Sequence, residues 1–297
     1  GSMKVIPRKL VALCPLLLLL LLTPKAHANM AAPANPDVGT AITFENNQEL
    51  AVTSEVLDIT VKGAKAEIVA TYTMENTTDQ QIVTSSMFLS PNVEAGNVTV
   101  LVDGQEVPVV VESYALGDVT QIDTQDWQYV VLDGEAADVG QGQTVDTILF
   151  ALEFEPRQQY DVVVSYTYRL GGYPDYDYNV KRGTLEYYLR PAALWKDFSN
   201  LTINLHLDED MPVLQDSNLE FEKVAPRTYQ YVSDTLPEEN LRIEVDQSWW
   251  QELVGFFQNP YLAVYAMYFV PVIVVIVVCV GGVIWMVRWT ARRNKRL

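Results

Sequence analysis

The sequence predicts an all-β protein, built as one or two antiparallel β-sandwiches of the immunoglobulin-like kind and followed by a single C-terminal transmembrane helix. Two observations predict this class. Short runs in which apolar and polar residues alternate recur between turn residues at intervals of about 8–12 residues. Residues 262–287, in contrast, contain no charged side chain.

The alternating runs predict strands with one buried and one exposed face. Between residues 66 and 74, apolar side chains occupy every even position. Asp103-Gly104 separates two valine-rich runs, which is a strong signal for a tight hairpin. Further strands are expected at residues 147–154, 161–170, 184–189, 201–207, 219–224, 228–232 and 241–245.

The β-rich region is long enough for two sandwiches or for one enlarged sandwich. We place a boundary near Pro156, which gives a first sandwich over residues 39–155 and a second over residues 156–247. The first contains an acidic excursion over residues 114–142, and a loop of that length is either functional or an insertion.

The N-terminal residues have the three parts of a secretory signal peptide. A basic start precedes a leucine-rich run over residues 10–22, and Ala26 and Ala28 are small residues at the positions that signal peptidase recognises. We therefore assign residues 1–28, which include two leading tag residues, to a removable signal. Residues 29–38 are rich in Ala, Pro and Asn, and they are expected to form a flexible lead-in.

Residues 261–287 are predicted to cross the membrane as one helix, because about 20 apolar residues span its hydrocarbon core. The tail, residues 288–297, is basic, and positive charge marks the cytoplasmic side. The prediction is a single-pass cell-membrane protein of type I, with an extracytoplasmic ectodomain. Its expected interfacial side chains are Tyr261, Trp285, Trp289, Arg288, Arg292 and Arg293.

Residues 248–260 are predicted to form an interfacial amphipathic segment between the ectodomain and the membrane helix. Ser248 and Gln251 have the spacing of a helix capping box. Large apolar residues follow, as in helices that lie in the membrane interface. The residues expected to contact the membrane are Trp249, Trp250, Phe256 and Phe257.

Charge and cysteine content indicate which classes of partner are expected and in which cellular compartment the protein lies. All 38 acidic residues lie within residues 29–260, whereas nine of the 20 basic residues lie outside them, which leaves this segment with a net charge of −27. Such a surface repels phosphate backbones, so no nucleic-acid partner is expected. The two cysteines lie in the signal and in the membrane helix, and an ectodomain without disulfides favours a bacterial envelope.

Catalytic and metal-binding residue types are scarce. His206 is the one histidine after the signal, and it is predicted to face solvent because Leu205 and Leu207 occupy the apolar positions beside it. A zinc site of His and Cys ligands is therefore not expected, and the sequence contains no Gly-x-Ser-x-Gly nucleophile motif. We predict that the chain is not an enzyme and binds no organic cofactor.

One segment has the spacing of a calcium-binding loop. Oxygen ligands at positions 1, 3, 5 and 12 surround Ca²⁺ in such loops, and the matching residues are Asp175, Asp177, Asn179 and Glu186. The alternative is a polar hairpin, which Val180 favours because it stands where the loop requires glycine. Nearby tyrosines suggest a binding surface, and they are Tyr173, Tyr176 and Tyr178.

A longer stretch resembles a known sandwich. Phe88, Leu89 and Pro91, followed by the hairpin residues Asp103 and Gly104, match the vault/inter-alpha-trypsin type of β-sandwich and related bacterial surface domains. Residues 183–207 similarly resemble a block in membrane-anchored surface proteins of Gram-positive bacteria. The resemblance implies a fold and a cell-surface location, and it implies no activity.

The function predicted from these features is that of a non-enzymatic, membrane-anchored module that binds a protein or an envelope component. The alternative is an ectodomain that senses a ligand, with calcium as the candidate, and passes the signal through the membrane helix to another protein. The short basic tail has no room for a signalling domain of its own.

Overall fold

The computed structural model describes residues 41–42, 49–116, 132–133, 144–171, 182–259 and 261–294. Within them the chain is mostly β-sheet with helices at the C-terminal end, and the predicted fold class is confirmed. The predicted signal peptide, the lead-in and most of the acidic excursion lie outside the described residues.

Sixteen strands and two α-helices are described, and two short 3₁₀ segments join some of them. The strands of the first half are β1 (Ala41–Ile42), β2 (Leu50–Lys62), β3 (Lys65–Asn76), β4 (Ile82–Ser90), β5 (Thr99–Val102), β6 (Gln105–Val107), β7 (Val110–Leu116), β8 (Leu132–Asp133), β9 (Thr144–Phe154) and β10 (Gln159–Arg169). Those of the second half are β11 (Arg182–Tyr187), β12 (Leu201–Leu207), β13 (Val213–Ser217), β14 (Glu222–Ala225), β15 (Thr228–Ser233) and β16 (Leu241–Asp246). The helices are α1 (Trp249–Gln258) and α2 (Leu262–Asn294).

An eight-stranded sheet forms the largest layer, in the order β14-β15-β12-β2-β3-β10-β5-β6. Its central strands alternate as the sequence predicts, so that Leu57, Ile59 and Val61 of β2 are fully buried. The β2–β3 hairpin turns at Gly63, whose φ of 59° is one that glycine adopts without steric cost. The predicted turn at Asp103-Gly104 likewise joins β5 to β6.

The predicted boundary near Pro156 is wrong as a division into two separate sandwiches. Strand β12 pairs in parallel with β2, so strands from both sides of Pro156 share one sheet. The physical reason is that Leu201, Ile203 and Leu205 complete the same core that β2 faces. Alternation in a sequence shows which face of a strand is buried, but it does not show which strand is its neighbour.

A second correction concerns the strand expected at residues 219–224. Residues 218–221 instead lie between two strands: β13 ends at Ser217, and β14 begins at Glu222. They belong to different sheets, because β13 pairs with β16 whereas β14 pairs with β15. The chain therefore leaves one sheet and enters another within four residues, and the apolar Leu219 and Phe221 pack against the core from this crossing.

Two smaller sheets share the core of the large one. One has five strands in the order β1-β8-β7-β9-β4, and the other has three in the order β11-β16-β13. Inward side chains of β9, such as Ile148 and Leu152, and of β16, such as Ile243, belong to the same buried cluster as the centre of the large sheet. One continuous core therefore stabilises the three sheets.

The three sheets meet at a buried carboxyl group. Glu55 occupies an inward position of β2 and has no exposed surface. The Tyr187 hydroxyl on β11 donates to Glu55 Oε1 at 2.8 Å, and the Tyr72 hydroxyl on β3 lies 2.8 Å from the Tyr187 oxygen. The ring of Phe88 on β4 packs 5.9 Å from that of Tyr187. Side chains from all three sheets thus meet around the hydrogen bond between Glu55 and Tyr187.

The environment of Glu55 favours its protonated form. Burial raises its pKa to about 7, and the hydrogen bonds from Tyr187 and Tyr72 lower the pKa by less than burial raises it. No described residue forms a hydrogen bond with the second carboxyl oxygen, Oε2. Ionisation at neutral pH therefore places a charge in the core with incomplete compensation.

The α-helices follow β16 directly. The predicted capping box is present at the start of α1, where the Gln251 N–H donates to Ser248 Oγ and the Ser248 N–H donates to Gln251 Oε1. Helix α2 contains a 32-residue candidate membrane span, whose most apolar 18 residues have a mean hydropathy of 2.9 and are not buried against the rest of the described chain. It is the one candidate membrane span among the described residues.

We predict that Glu55→Gln changes how stability depends on pH. A carboxyl whose pKa is higher in the folded than in the unfolded chain binds more protons when folded, so its contribution to stability is complete below about pH 4.5 and is lost as the pH rises through 7. In urea unfolding of the detergent-solubilised protein, the variant should match the wild type near pH 4 and exceed it by about 3 kcal/mol near pH 8.

The matched control for this prediction is Glu106→Gln, which removes the charge of an exposed glutamate on β6. Its free energy of unfolding should follow that of the wild type across the same pH range. A variant at Glu55 that gains no stability relative to this control between pH 4 and pH 8 would show that the buried carboxyl is not protonated in the folded protein.

Candidate functional site

A cleft of about 550 Å³ opens on the outer face of the three-stranded sheet. Residues from all three strands of that sheet form its floor, and they are Thr184, Glu186, Asp216, Asn218, Arg242 and Glu244. The opposite wall is formed by Asn92, by Thr144 at the start of β9 and by Tyr168 on β10. The cleft therefore lies between the small sheet and elements of the other two.

Alternation along β11 and β16 explains why the floor is polar. The inward residues Leu185 and Tyr187 of β11 are buried in the common core, as is Ile243 of β16. The residues between them, Glu186 and Glu244 among them, must then point to the other side of the sheet. Glu186 therefore lies on the outward face of its strand, opposite to Leu185 and Tyr187.

The charges of the floor are unevenly matched. Glu186 lies opposite Arg242 in the β11–β16 register, which is a favourable pairing. Asp216 lies opposite Glu244 in the β13–β16 register, beside a β-bulge. Two carboxylates in directly opposite positions destabilise a sheet. Neither carboxylate forms a hydrogen bond or an ion pair with another described residue, so both are available to a cationic group.

Tyr168 connects the wall of the cleft to its floor. Its hydroxyl oxygen accepts hydrogen bonds from the Glu186 backbone N–H at 3.1 Å and from Asn92 Nδ2 at 3.4 Å. Burial raises the pKa of Tyr168 to about 12, so the hydroxyl is neutral at physiological pH. The side chain is 2% exposed. Its position therefore fixes the spacing between β10 and β11.

Two glycines allow β10 and β11 to approach closely. Gly171 exchanges two backbone hydrogen bonds with Thr184, at 2.7 and 2.8 Å. A Cβ atom at Gly171 would lie 2.8 Å from Thr184 Oγ1, and one at Gly183 would lie 2.6 Å from Leu170 Cδ1. Both distances are shorter than van der Waals contact, so larger residues would push the floor away from the wall.

The described structure contains only one member of the predicted calcium loop. Glu186 lies in the cleft floor, whereas Asp175, Asp177 and Asn179 lie outside the described residues, as do the predicted binding tyrosines Tyr173, Tyr176 and Tyr178. No group of three acidic, His or Cys residues in the described part of the chain is arranged to hold a metal ion. The calcium site and the tyrosine surface therefore stay predictions.

Other predicted residues are described. His206 is exposed, as expected from its position in β12, and its Nδ1 atom lies 3.4 Å from Thr228 Oγ1. The residues predicted to contact the membrane are exposed, and they are Trp249, Trp250, Phe256, Phe257, Tyr261, Trp285, Trp289, Arg288, Arg292 and Arg293. Trp285 stacks on Trp289, which also lies under the Arg293 guanidinium.

Sequence reasoning did not identify Asp216, Arg242, Glu244 or Tyr168 as site residues. Alternation along the expected strand at residues 241–245 could have indicated the outward direction of Arg242 and Glu244. It could not reveal that Asp216 faces Glu244, because that pairing depends on the register between strands separated by more than 20 residues.

Comparison with models of known families gives no match, and comparison with curated proteins gives none either. Among solved structures, the chain is similar to a proposed nutrient binding protein from Legionella pneumophila, with 14% identity, a TM-score of 0.48 and coverage of 75% of this chain and 74% of that one. It is also similar to an M1 zinc metallopeptidase from Deinococcus radiodurans, with 13% identity, a TM-score of 0.33 and coverage of 68% and 43%.

A third similar structure is yeast LTA4 hydrolase, with 10% identity, a TM-score of 0.35 and coverage of 75% of this chain and 33% of that one. The chain thus spans less than half the length of either enzyme. The prediction from sequence that the chain is not an enzyme is contradicted by these matches, because enzymes are among the structures it resembles. No activity or ligand is carried over at such low similarity, and the vault/inter-alpha-trypsin resemblance is not tested by them.

We predict that Tyr168→Phe loosens the cleft without unfolding the protein. The substitution keeps the ring but leaves the partly buried Glu186 N–H without its acceptor, which costs at most about 1–3 kcal/mol. Hydrogen–deuterium exchange in the detergent-solubilised protein should become faster in residues 182–187. The control is Tyr229→Phe, since the Tyr229 hydroxyl forms no hydrogen bond with the described residues. In this control, exchange in residues 182–187 should be the same as in the wild type. Equal exchange rates in both variants would contradict the role assigned to Tyr168.

Proposed function

We propose that the protein is a single-pass cell-membrane protein whose β body, the sheets of residues 49–246, lies outside the cytoplasm and binds a positively charged segment of a protein or of an envelope component. The observation that carries the proposal is the pair of directly opposed carboxylates, Asp216 and Glu244, in the floor of the cleft. A cationic group placed between them would remove a repulsion that the free protein retains.

The distribution of charge supports this orientation. Arg288, Arg292 and Arg293 follow the apolar part of α2 closely, whereas the region before α2 is strongly acidic. Positively charged residues beside a membrane span favour the cytoplasmic side, so the C-terminal end of α2 is assigned to the cytoplasm. The cleft is then accessible from outside the cell.

The charge of the whole β body supports a cationic partner. Its large net negative charge attracts positively charged segments over distances of about a Debye length, roughly 8–10 Å at physiological salt, and repels acidic ones. The cleft adds local selectivity to this general attraction. It contains three carboxylates and one guanidinium, so its own net charge is also negative.

The proposal predicts weaker binding in the double variant Asp216→Asn with Glu244→Gln. A fluorescent lysine-rich peptide, titrated against the full chain in detergent and followed by anisotropy, should bind the variant at least about tenfold more weakly, which corresponds to 1.4 kcal/mol. Binding to the wild type should weaken as salt increases, because the carboxylates of the cleft are partly exposed to solvent.

The matched control is Glu106→Gln with Glu222→Gln, which changes the net charge equally at two exposed positions on the edge strands of the large sheet. If attraction to the cleft is responsible, this control binds the peptide as the wild type does. Equal weakening in both double variants would mean that only overall charge matters, and the cleft would then lose its assigned role.

A further inference from the structure

Helix α1 has two faces of opposite character. Successive side chains of an α-helix are separated by about 100°, and on this spacing the large apolar residues of α1 fill one continuous arc of about 160°. They are Trp249, Trp250, Leu253, Val254, Phe256 and Phe257. Gln251, Gly255 and Gln258 occupy the other side. The helix is therefore amphipathic along its whole length.

The orientation of this helix is inverted relative to that of a helix in a water-soluble domain. An amphipathic helix normally packs its apolar face on the core. In α1 the polar face contacts the β body, through a hydrogen bond of 2.6 Å from Gln251 Nε2 to the Glu209 backbone oxygen. The apolar face points outward, with Trp249 72% and Phe257 64% exposed. No residue of α1 is buried.

We propose that α1 lies in the interface of the membrane leaflet from which α2 enters the bilayer, with its apolar face among the lipid chains. The occupant of this face is lipid because the face is continuous with the membrane span: α2 begins at Leu262, four residues after α1 ends. Hydrogen bonds define the joint, since Asn259 Oδ1 accepts from the Tyr261 N–H and the Asn259 carbonyl accepts from the Leu262 N–H.

The chemistry of α1 also indicates which lipid property it recognises. Glu252 is the one charged residue of the helix, and it is acidic. Helices that bind anionic lipid carry Lys and Arg on the polar face, and α1 carries none. Trp side chains instead favour the region of the headgroups by their amphipathic rings. The interaction is therefore apolar and aromatic, and anionic lipid does not strengthen it.

Helix α1, when it lies in the membrane interface, would hold the cleft near the membrane. Strand β16, which contributes Arg242 and Glu244 to the floor, ends at Asp246, two residues before the N-cap Ser248. The Arg182–Asp246 ion pair at 3.1 Å ties β11 to this end of β16. The Gln251–Glu209 hydrogen bond restrains rotation at the connection. This inference is independent of what the cleft binds.

The test uses spin labels on neighbouring positions of α1 in the full chain, reconstituted in phosphatidylcholine vesicles. In a background of Cys14→Ser and Cys279→Ser, the variant Phe257→Cys labels the apolar face, and Gln258→Cys labels the polar face of the same turn. Compared with the label at 258, the label at 257 should be more accessible to oxygen, which concentrates among lipid chains. The label at 257 should also be less accessible than the label at 258 to a water-soluble nickel chelate.

Other results would overturn the inference. Equal access of nickel to both labels would place α1 in water, and exclusion of both oxygen and nickel from position 257 would show that its apolar face packs on protein. Vesicles with added phosphatidylglycerol, an anionic lipid, test whether anionic lipid strengthens the interaction of α1 with the membrane. The accessibility of the label at 257 should not change in these vesicles. A deeper position in anionic vesicles would contradict the apolar mode of binding.

Discussion

The hydrogen bond between the Tyr187 hydroxyl and the Glu55 carboxyl is the interaction on which the arrangement of the three sheets depends. It joins the small sheet to the large one in the centre of the core, and Phe88 of the third sheet packs against the same tyrosine. No disulfide is available between the sheets, because neither cysteine lies in the β body. Packing and this buried polar contact must therefore fix their relative positions.

The same contact supports the cleft. Tyr187 and Glu186 are adjacent on β11, and the first points to the core while the second points to the cleft floor. Any change that moves Tyr187 must therefore move the floor, because the two side chains share one stretch of backbone. Protonated Glu55 accepts the Tyr187 hydrogen bond without a net charge in the core. The geometry of the floor is consequently linked to a group whose ionisation falls near neutral pH.

Local features of the fold could be predicted from the sequence, and long-range pairings could not. Alternation gave the buried side of β3, and the spacing of Ser248 and Gln251 gave the start of α1. Glu55 also carried a signal, since it has the same parity as Leu57, Ile59 and Val61 and must share their buried face. The parallel pairing of β12 with β2 had no such signal, because 138 residues lie between the end of β2 and the start of β12 and neither strand contains information about the other.

The candidate site illustrates the same limit. Each of its strands could be assigned an outward face, yet the opposition of Asp216 and Glu244 arises from the register of β13 on β16, which the bulge after Leu214 shifts. The segment with the clearest motif, from Asp175 to Asn179, lies outside the described residues. Site residues on strands are therefore harder to recognise from sequence than motifs in loops, because no consecutive pattern contains them.

Strand β16 connects the core, the cleft and the membrane. Its inward residues, including Ile243, stabilise the core, its outward residues Arg242 and Glu244 line the cleft, and its end leads within two residues to α1. With α1 in the membrane interface as proposed, a partner that binds the cleft must approach to within a short distance of the bilayer. In that arrangement α1 would be held by apolar contact while anionic lipid would repel the acidic β body, so the two effects would oppose each other. Their balance would keep the cleft beside the membrane without pressing its carboxylates against the headgroups.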